Sequence, residues 1–319
     1  MKNIQADIKS GNFKQVYLLY GEEAYLKQQY KQNLVKALNP DGDTMNFNHY
    51  EGKGIDVKQL IDLCETMPFF AERRVVLLED TGFFKNKCEE LADYMKELPD
   101  YLYLVFAETE VDKRNRMYKA VKACGSIAEF IRQDEKTLMR WAAGILGKAG
   151  KKITQRDMEL LLTKTGTDMG NLRMEMEKLI SYTEGRDVVT AEDIEEICTT
   201  QTTNRIFDMV RAVTEKNQKR ALELYYDLLT LKEPPMRILF LLAKQYRQLL
   251  LAKQFAAAGL AQTEIASKLG VPGFVVRNIT TCARAYTISE LEQAVKDFVD
   301  AEESVKTGRL EDKLSVELL

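Results

Sequence analysis

Residues 16–28 read Val16-Tyr17-Leu18-Leu19-Tyr20-Gly21-Glu22-Glu23-Ala24-Tyr25-Leu26-Lys27-Gln28, an apolar run followed by a glycine and a longer polar segment. The continuous apolar run is typical of a buried β-strand, and the pattern after the glycine predicts a helix from Glu23 to Leu38. A strand, a turn and a helix in this order form the unit that binds phosphate groups in many nucleotide-binding folds.

The turn is a degenerate version of that phosphate-binding loop. Against the pattern GxxxxGK[ST], Gly21 and Lys27 are in register, but Leu26 replaces the second glycine and Gln28 replaces the hydroxyl residue. The loop needs glycine so that backbone N–H groups can converge on phosphate, and it needs the hydroxyl to bind magnesium. The two glutamates after Gly21 would also place negative charge beside a triphosphate. We therefore expect no bound ATP.

A second apolar run, Val75-Val76-Leu77-Leu78, predicts a central parallel strand and is followed by Glu79-Asp80. A metal-binding strand of an ATPase would end in the opposite order, Asp-Glu. We interpret this half of the chain as an ATPase fold without the ATPase. We expect no catalytic residue, no metal ion and no cofactor.

The predicted fold class is α/β followed by all-α. Up to about residue 131, short strands alternate with helices, which predicts a parallel sheet flanked by helices. The predicted strands are Val16–Tyr20, Asn46–Tyr50, Val75–Leu78, Tyr101–Phe106 and Ser126–Ile131. After Gln133 the strand signals stop and the chain is predicted to be almost wholly helical.

The helical part divides at Thr199–Asn204, a polar stretch predicted to be a linker. We predict three domains: 1–137 as the sheet module, 138–203 as a small helical domain and 204–319 as a larger helical domain. The helices predicted in the last domain are Ile206–Thr214, Lys219–Leu231, Met236–Phe255, Thr263–Leu269, Phe274–Tyr286 and Ser289–Val305.

Composition makes catalytic and membrane functions improbable. The chain has 319 residues, 45% hydrophobic and 30% charged, with a formal net charge of -3, which suits a soluble protein of two or three domains. No apolar run approaches the length of a membrane span and no leader pattern is visible, so we expect a cytoplasmic protein. Five cysteines without a CxxC pair and a single histidine, His49, exclude most zinc sites.

Met67-Pro68-Phe69-Phe70-Ala71-Glu72-Arg73-Arg74 lies between a predicted amphipathic helix and the strand Val75–Leu78. Two adjacent phenylalanines stand where solvated turn residues are expected. They either fold back into the core or form an exposed wedge, in which each ring buried by a partner would contribute about 2 kcal/mol. The sequence pattern leaves both interpretations open. The second pair, Phe83-Phe84, is predicted to be core.

Gln262–Pro272 resembles the helix-turn-helix signature of DNA-binding regulators. A recognition helix needs several polar side chains facing the bases, whereas Gly273-Phe274-Val275-Val276 is apolar and only Arg277 and Asn278 could read bases. Helix packing is the favoured interpretation.

Taken in order, five motifs resemble the family of delta subunits of bacterial DNA polymerase III clamp loaders, over nearly the whole chain. The motifs are Val16–Glu23, Phe69–Val76, Asp112-Lys113-Arg114 with Tyr118-Lys119, Glu175-Met176-Glu177-Lys178-Leu179 and Ile206-Phe207-Asp208. The order and spacing of these motifs together identify the family.

The resemblance implies a RecA-like AAA+ module, a helical lid and a helical collar in a subunit that binds no nucleotide at Gly21 and Lys27. It implies that Phe69 and Phe70, flanked by Met67 and Pro68, insert into a hydrophobic pocket of the ring-shaped sliding clamp and help to open the ring. Gly170-Asn171-Leu172-Arg173 resembles the lid motif that senses nucleotide in active members. Here we interpret Arg173 as structural.

The implied partners are the sliding clamp (beta subunit), the delta prime and tau/gamma subunits of a hetero-pentameric loader, and primed DNA through the assembled complex. No membrane partner is implied. Two other functions remain as alternatives: a divergent AAA+ ATPase or helicase loader that tolerates a poor loop, and a sequence-specific regulator that uses Thr263–Asn278.

Overall fold

A computed structural model describes residues 2–199 and 202–319. The chain forms two compact units, which meet in sequence between Gln133 and Asp134. Within the described ranges, no helix is long and apolar enough to cross a membrane.

The first unit is a five-stranded sheet with helices on both faces. Its elements are α1 (Lys2–Ser10), β1 (Val16–Tyr20), α2 (Ala24–Leu38), β2 (Phe47–Glu51), α3 (Val57–Glu65), β3 (Arg74–Glu79), α4 (Glu89–Tyr94), β4 (Leu102–Glu108), α5 (Arg116–Cys124) and β5 (Ser126–Glu129). All strand pairs are parallel, in the order β2-β3-β4-β1-β5. The predicted α/β fold class of this unit is confirmed.

The three central strands, β1, β3 and β4, are buried on both faces, which explains their continuous apolar runs. Alternate residues of β1 enter two separate cores: Val16, Leu18 and Tyr20 pack on one face, while Tyr17 and Leu19 pack on the other. The first core also contains Phe83 and Phe84, so the prediction that this pair is buried is confirmed.

The second unit is almost wholly helical. Its elements are α6 (Glu135–Lys148), β6 (Lys152–Ile153), α7 (Gln155–Thr165), α8 (Met169–Tyr182), β7 (Val188–Val189), α9 (Ala191–Ile197), α10 (Thr202–Thr214), α11 (Gln218–Thr230), α12 (Pro235–Ala257), α13 (Gln262–Leu269), α14 (Gly273–Ala283), α15 (Ile288–Lys306) and α16 (Asp312–Glu317). The short parallel pair β6–β7 was not predicted. Two residues are too few to produce a periodic signal.

Helices α10–α16 share one hydrophobic core, whose buried residues run from Ile206 to Val316. The predicted linker differs from the structure, because α10 already begins at Thr202. Thr200 and Gln201, which belong to that predicted linker, lie outside the described residues. The division into three domains stays a prediction.

Helices α13 and α14 do form a helix-turn-helix, with Gly270 in the left-handed region at the turn. A recognition helix must present an open face to DNA. Here α14 packs against α12, α13, α10 and α7, and it buries Val276, Ile279 and Cys282. Its Arg277 lies 3.8 Å from Glu135 and 3.9 Å from Glu159. These contacts favour the packing interpretation of this motif.

Candidate functional site

The segment between α3 and β3 exposes the phenylalanine pair. Phe70 is 95% exposed, Phe69 is 56% exposed and Met67 is 75% exposed, while Pro68 is half-buried. The two phenylalanine rings contact each other edge to face, with centroids 4.5 Å apart. The interpretation of Phe69 and Phe70 as core residues is therefore wrong.

The backbone of this segment is held in an unusual conformation. Phe70 has a φ of 49°, in the left-handed region that bulky L-residues rarely adopt. Such a conformation is disfavoured by about 1–2 kcal/mol and persists only where the surroundings impose it. Residues 66–73, which we name the wedge loop, must therefore be fixed by bonds from the underlying sheet.

Arg74 fixes the start of the wedge loop. Its guanidinium donates to the carbonyl oxygens of Thr66 (2.9 Å) and Met67 (3.2 Å) and to the Asn48 side chain on β2 (3.2 Å). Arg74 is the first residue of β3 and is itself buried. A buried guanidinium that bonds three acceptors attaches the entry of the loop to two strands.

Asn46, immediately before β2, fixes the apex. Its side-chain oxygen accepts the Phe69 N–H (2.6 Å) and its amide donates to the Phe69 carbonyl (2.9 Å). Near the exit, the Arg73 guanidinium lies over the rings of Phe13 and Tyr103, at 5.2 Å and 5.4 Å from their centroids. The two exposed rings thus stand on a loop that is bonded at its entry, apex and exit.

Sequence reasoning identified the phenylalanines but missed the roles of Asn46 and Arg74. Asn46 was predicted only as the start of a strand, and Arg74 only as part of a motif. The available signal was weak: Asn46 opens one predicted strand, and Arg74 directly precedes the predicted strand Val75–Leu78.

The degenerate nucleotide loop and the wedge loop lie at opposite ends of the parallel strands. The nucleotide loop follows the carboxyl end of β1, whereas the wedge loop precedes the amino end of β3. Gly21 has a φ of 124° and approaches the backbone of Phe130, whose carbonyl accepts the Glu23 N–H (3.0 Å). The Phe130 carbonyl, directly after β5, therefore takes up one of the loop N–H groups that a phosphate would need.

The charged groups near this loop have hydrogen-bond partners within the first unit. Lys27 donates to the Glu108 carbonyl oxygen (2.9 Å), and burial lowers the pKa of Lys27. Lys31 pairs with the Glu79 carboxylate, which also lies 3.2 Å from His49 Nε2. Burial raises the pKa of the Glu108 carboxyl, which accepts from the Thr81 hydroxyl (2.6 Å). In the described part of the chain, no group of three or more His, Cys, Asp or Glu residues could hold a metal ion.

Gly21→Ala should destabilise the first unit. An added Cβ would clash with the Phe130 carbonyl and lie 2.9 Å from the Phe130 backbone nitrogen, at a φ that side chains disfavour. We expect a loss of about 2 kcal/mol or more in the free energy of unfolding. Chemical denaturation measures it, with Gly11→Ala as control, because Gly11 has positive φ but open space around its Cβ. Equal losses in both variants would contradict the clash.

The lid-motif arginine is paired within its own helix, since Arg173 Nε donates to Glu177 Oε1 at 2.8 Å. This i,i+4 pair agrees with a structural role for Arg173.

Two family models match most of the chain. The model described as "DNA polymerase III, delta subunit" matches residues 17–130, and the model described as "DNA polymerase III delta subunit, C-terminal domain" matches residues 203–319. DNA polymerase III subunit delta of Bacillus subtilis (strain 168) is 26% identical over 329 residues, which cover 99% of this chain and 94% of the relative.

A probable DNA polymerase III subunit delta of Aquifex aeolicus (strain VF5) is 22% identical over 270 residues, covering 80% of this chain and 75% of the relative. Among solved structures, the Bacillus subtilis DNA clamp loader delta protein superposes with a TM-score of 0.66 at 24% identity. That match covers 99% of this chain and 97% of the other. It shows that the two chains share a fold.

Proposed function

The chain belongs to the family of DNA polymerase III delta subunits, and on that premise we propose that it binds the ring-shaped sliding clamp through Phe69 and Phe70 and helps to open the ring. The observation that carries this proposal is the pair of exposed, touching rings on a loop bonded to the sheet beneath it. Large aromatic side chains that are exposed and fixed in place are the usual anchors of a protein interface. Met67 and Pro68 complete the proposed clamp-binding site.

Since the chain is a clamp loader component, we also propose partners besides the clamp. We propose that it assembles with delta prime and tau/gamma subunits into a hetero-pentamer in the cytoplasm, and that the complex acts on primed DNA. The separate core of α10–α16 supports a collar domain, residues 204–319, as the assembly module. The match of the C-terminal family model to residues 203–319 supports the same boundary.

The test is direct binding of the purified chain to the sliding clamp of the same organism. We expect a stable complex, and we expect fluorophores on the two sides of one clamp interface to move apart when the chain is added. The assay uses the full chain, which carries the wedge loop. A chain that leaves the clamp unbound, or binds it without changing that distance, would contradict the proposal.

We also expect no ATP turnover from the isolated chain. Leu26 and Gln28 replace the residues that contact phosphate and magnesium, and Lys27 is bonded to Glu108. Motor subunits of the loader would then supply hydrolysis. Steady-state phosphate release measures the activity, with Lys27→Ala as the matched control. Saturable hydrolysis that disappears in Lys27→Ala would favour the divergent ATPase instead.

A further inference from the structure

Asn46 is bonded to the wedge loop in a way that fixes both its own orientation and that of the loop. The residue is only 3% exposed. Its backbone carbonyl accepts the Val75 N–H (2.9 Å), which attaches it to β3, while its side chain makes the two bonds to the Phe69 backbone. A buried side chain therefore connects the sheet directly to the residue that carries the first ring.

Asp43 determines which way the amide of Asn46 points. The amide nitrogen donates to Asp43 Oδ2 (2.5 Å) as well as to the Phe69 carbonyl. A reversed amide would set its oxygen against two acceptors and its NH₂ group against the Phe69 N–H. The hydrogen bond from Asn46 lowers the pKa of the Asp43 carboxyl, because it stabilises the ionised form that accepts the bond.

We propose that Asn46, oriented by Asp43, is a positioning residue for clamp binding, which holds Phe69 and Phe70 outward before the clamp arrives. This inference rests on the proposed function of the two phenylalanines. An interface whose anchors are already ordered loses less conformational entropy when it binds. Asn46 acts on binding through the loop backbone and need not touch the clamp.

The surroundings explain why the loop needs such a bond. Phe70 has a disfavoured φ, so a released loop would relax toward a common backbone conformation. A solvent-open cavity of about 450 Å³ adjoins the ring, and its lining combines charged residues such as Asp41 and Asp43 with the apolar Leu38 and Val75. An apolar ring on a loosened loop gains by packing against the apolar part of that cavity. The clamp would then have to draw the ring out again.

Only asparagine supplies the required groups at this position. Aspartate is isosteric but lacks the donor, and its charge would face Asp43 and the Phe69 carbonyl. Alanine removes both bonds to Phe69 and the bond to Asp43, and it leaves the backbone bond to Val75 in place. The two variants therefore remove the contact in different ways, one by charge and one by truncation.

The experiment measures clamp affinity of the full chain carrying Asn46→Ala or Asn46→Asp. We expect each variant to bind roughly tenfold more weakly, the order of effect expected when a loop must be ordered during binding. Asn115→Ala is the matched control, because Asn115 is a helix-capping asparagine that braces Phe83 and Asn86 in the same unit. It should lose stability but keep its clamp affinity.

Two further readouts separate positioning from a general loss of structure. In a chain already carrying Phe69→Ala and Phe70→Ala, Asn46→Ala should weaken clamp binding no further, since there are no rings left to position. In the free protein, the Phe69 amide should exchange its hydrogen faster in Asn46→Ala than in the wild type, because Asn46 is its acceptor.

Each outcome decides a different claim. If the wild type binds the clamp and Asn46→Ala binds equally well, the positioning role is wrong while the proposed function stands. The positioning role is also wrong if Asn46→Ala weakens clamp binding as much in the chain that lacks the two rings as it does in the wild type. If the wild type leaves the clamp unbound, the proposed function itself fails, and the exchange rate of the Phe69 amide still tests the bond.

Discussion

Replacing Phe69 and Phe70 together with alanine should weaken clamp binding by about 2–4 kcal/mol, roughly thirtyfold to several hundredfold, as truncation of interface hot spots does. The free energy of unfolding should change by less than about 0.5 kcal/mol, which is usual for surface positions. The reason is that both rings are exposed, and removing an exposed ring creates no cavity. The variant should be a folded protein that binds the ring far more weakly.

The chain offers a matched control in its second phenylalanine pair. Phe83 and Phe84 are buried in the same unit, so Phe83→Ala with Phe84→Ala should lower stability by about 3–5 kcal/mol for each ring. Thermal unfolding and clamp affinity, measured on both double variants, give opposite patterns under the proposal. A large fall in the melting temperature of the Phe69 and Phe70 variant, or an unchanged clamp affinity, would refute the proposal that these two exposed rings bind the clamp.

The sheet could be predicted from sequence because its central strands are buried on both faces. Residues 16–20 and 75–78 are uninterrupted apolar runs, and such runs leave little choice of structure. The helix α1 was missed because its apolar signal consists of Ile4 and Ile8 alone, although Ile4 is fully buried. Its burial depends on packing against α2 and β5, which no local pattern reveals.

The two phenylalanines of the site could be predicted from the sequence, but the hydrogen bonds that hold their loop could not. The position of two adjacent phenylalanines was visible in the sequence, whereas their exposure was not, because a pattern at an element junction fits both a core and a surface. Asn46 and Phe69 are far apart in sequence and meet through the register that pairs Phe47 with Val75. Register follows from the whole sheet, so the bond that orders the loop could not be inferred from either segment.

A chain ending at Gln201 should keep clamp binding and lose assembly into the loader. The wedge loop and its supporting residues all lie in the unit that ends at Gln133, so their bonds survive the cut. The truncation removes α10–α16 as a group together with their common core. It also breaks the bond from Asn204 to the Lys164 carbonyl and uncovers the side of α7 that packs against α10 and α14.

Reconstitution with the other loader subunits, followed by size-exclusion chromatography, measures assembly, and clamp affinity is measured on the same preparation. The expected result is unchanged clamp affinity with no incorporation into the pentamer. Residues 202–319 expressed alone serve as the complementary control, because a self-contained core should let this fragment compete with the full chain for assembly. If the truncated chain entered the loader as the full chain does, assembly would have to depend on residues before the collar, and the collar would lose its proposed role.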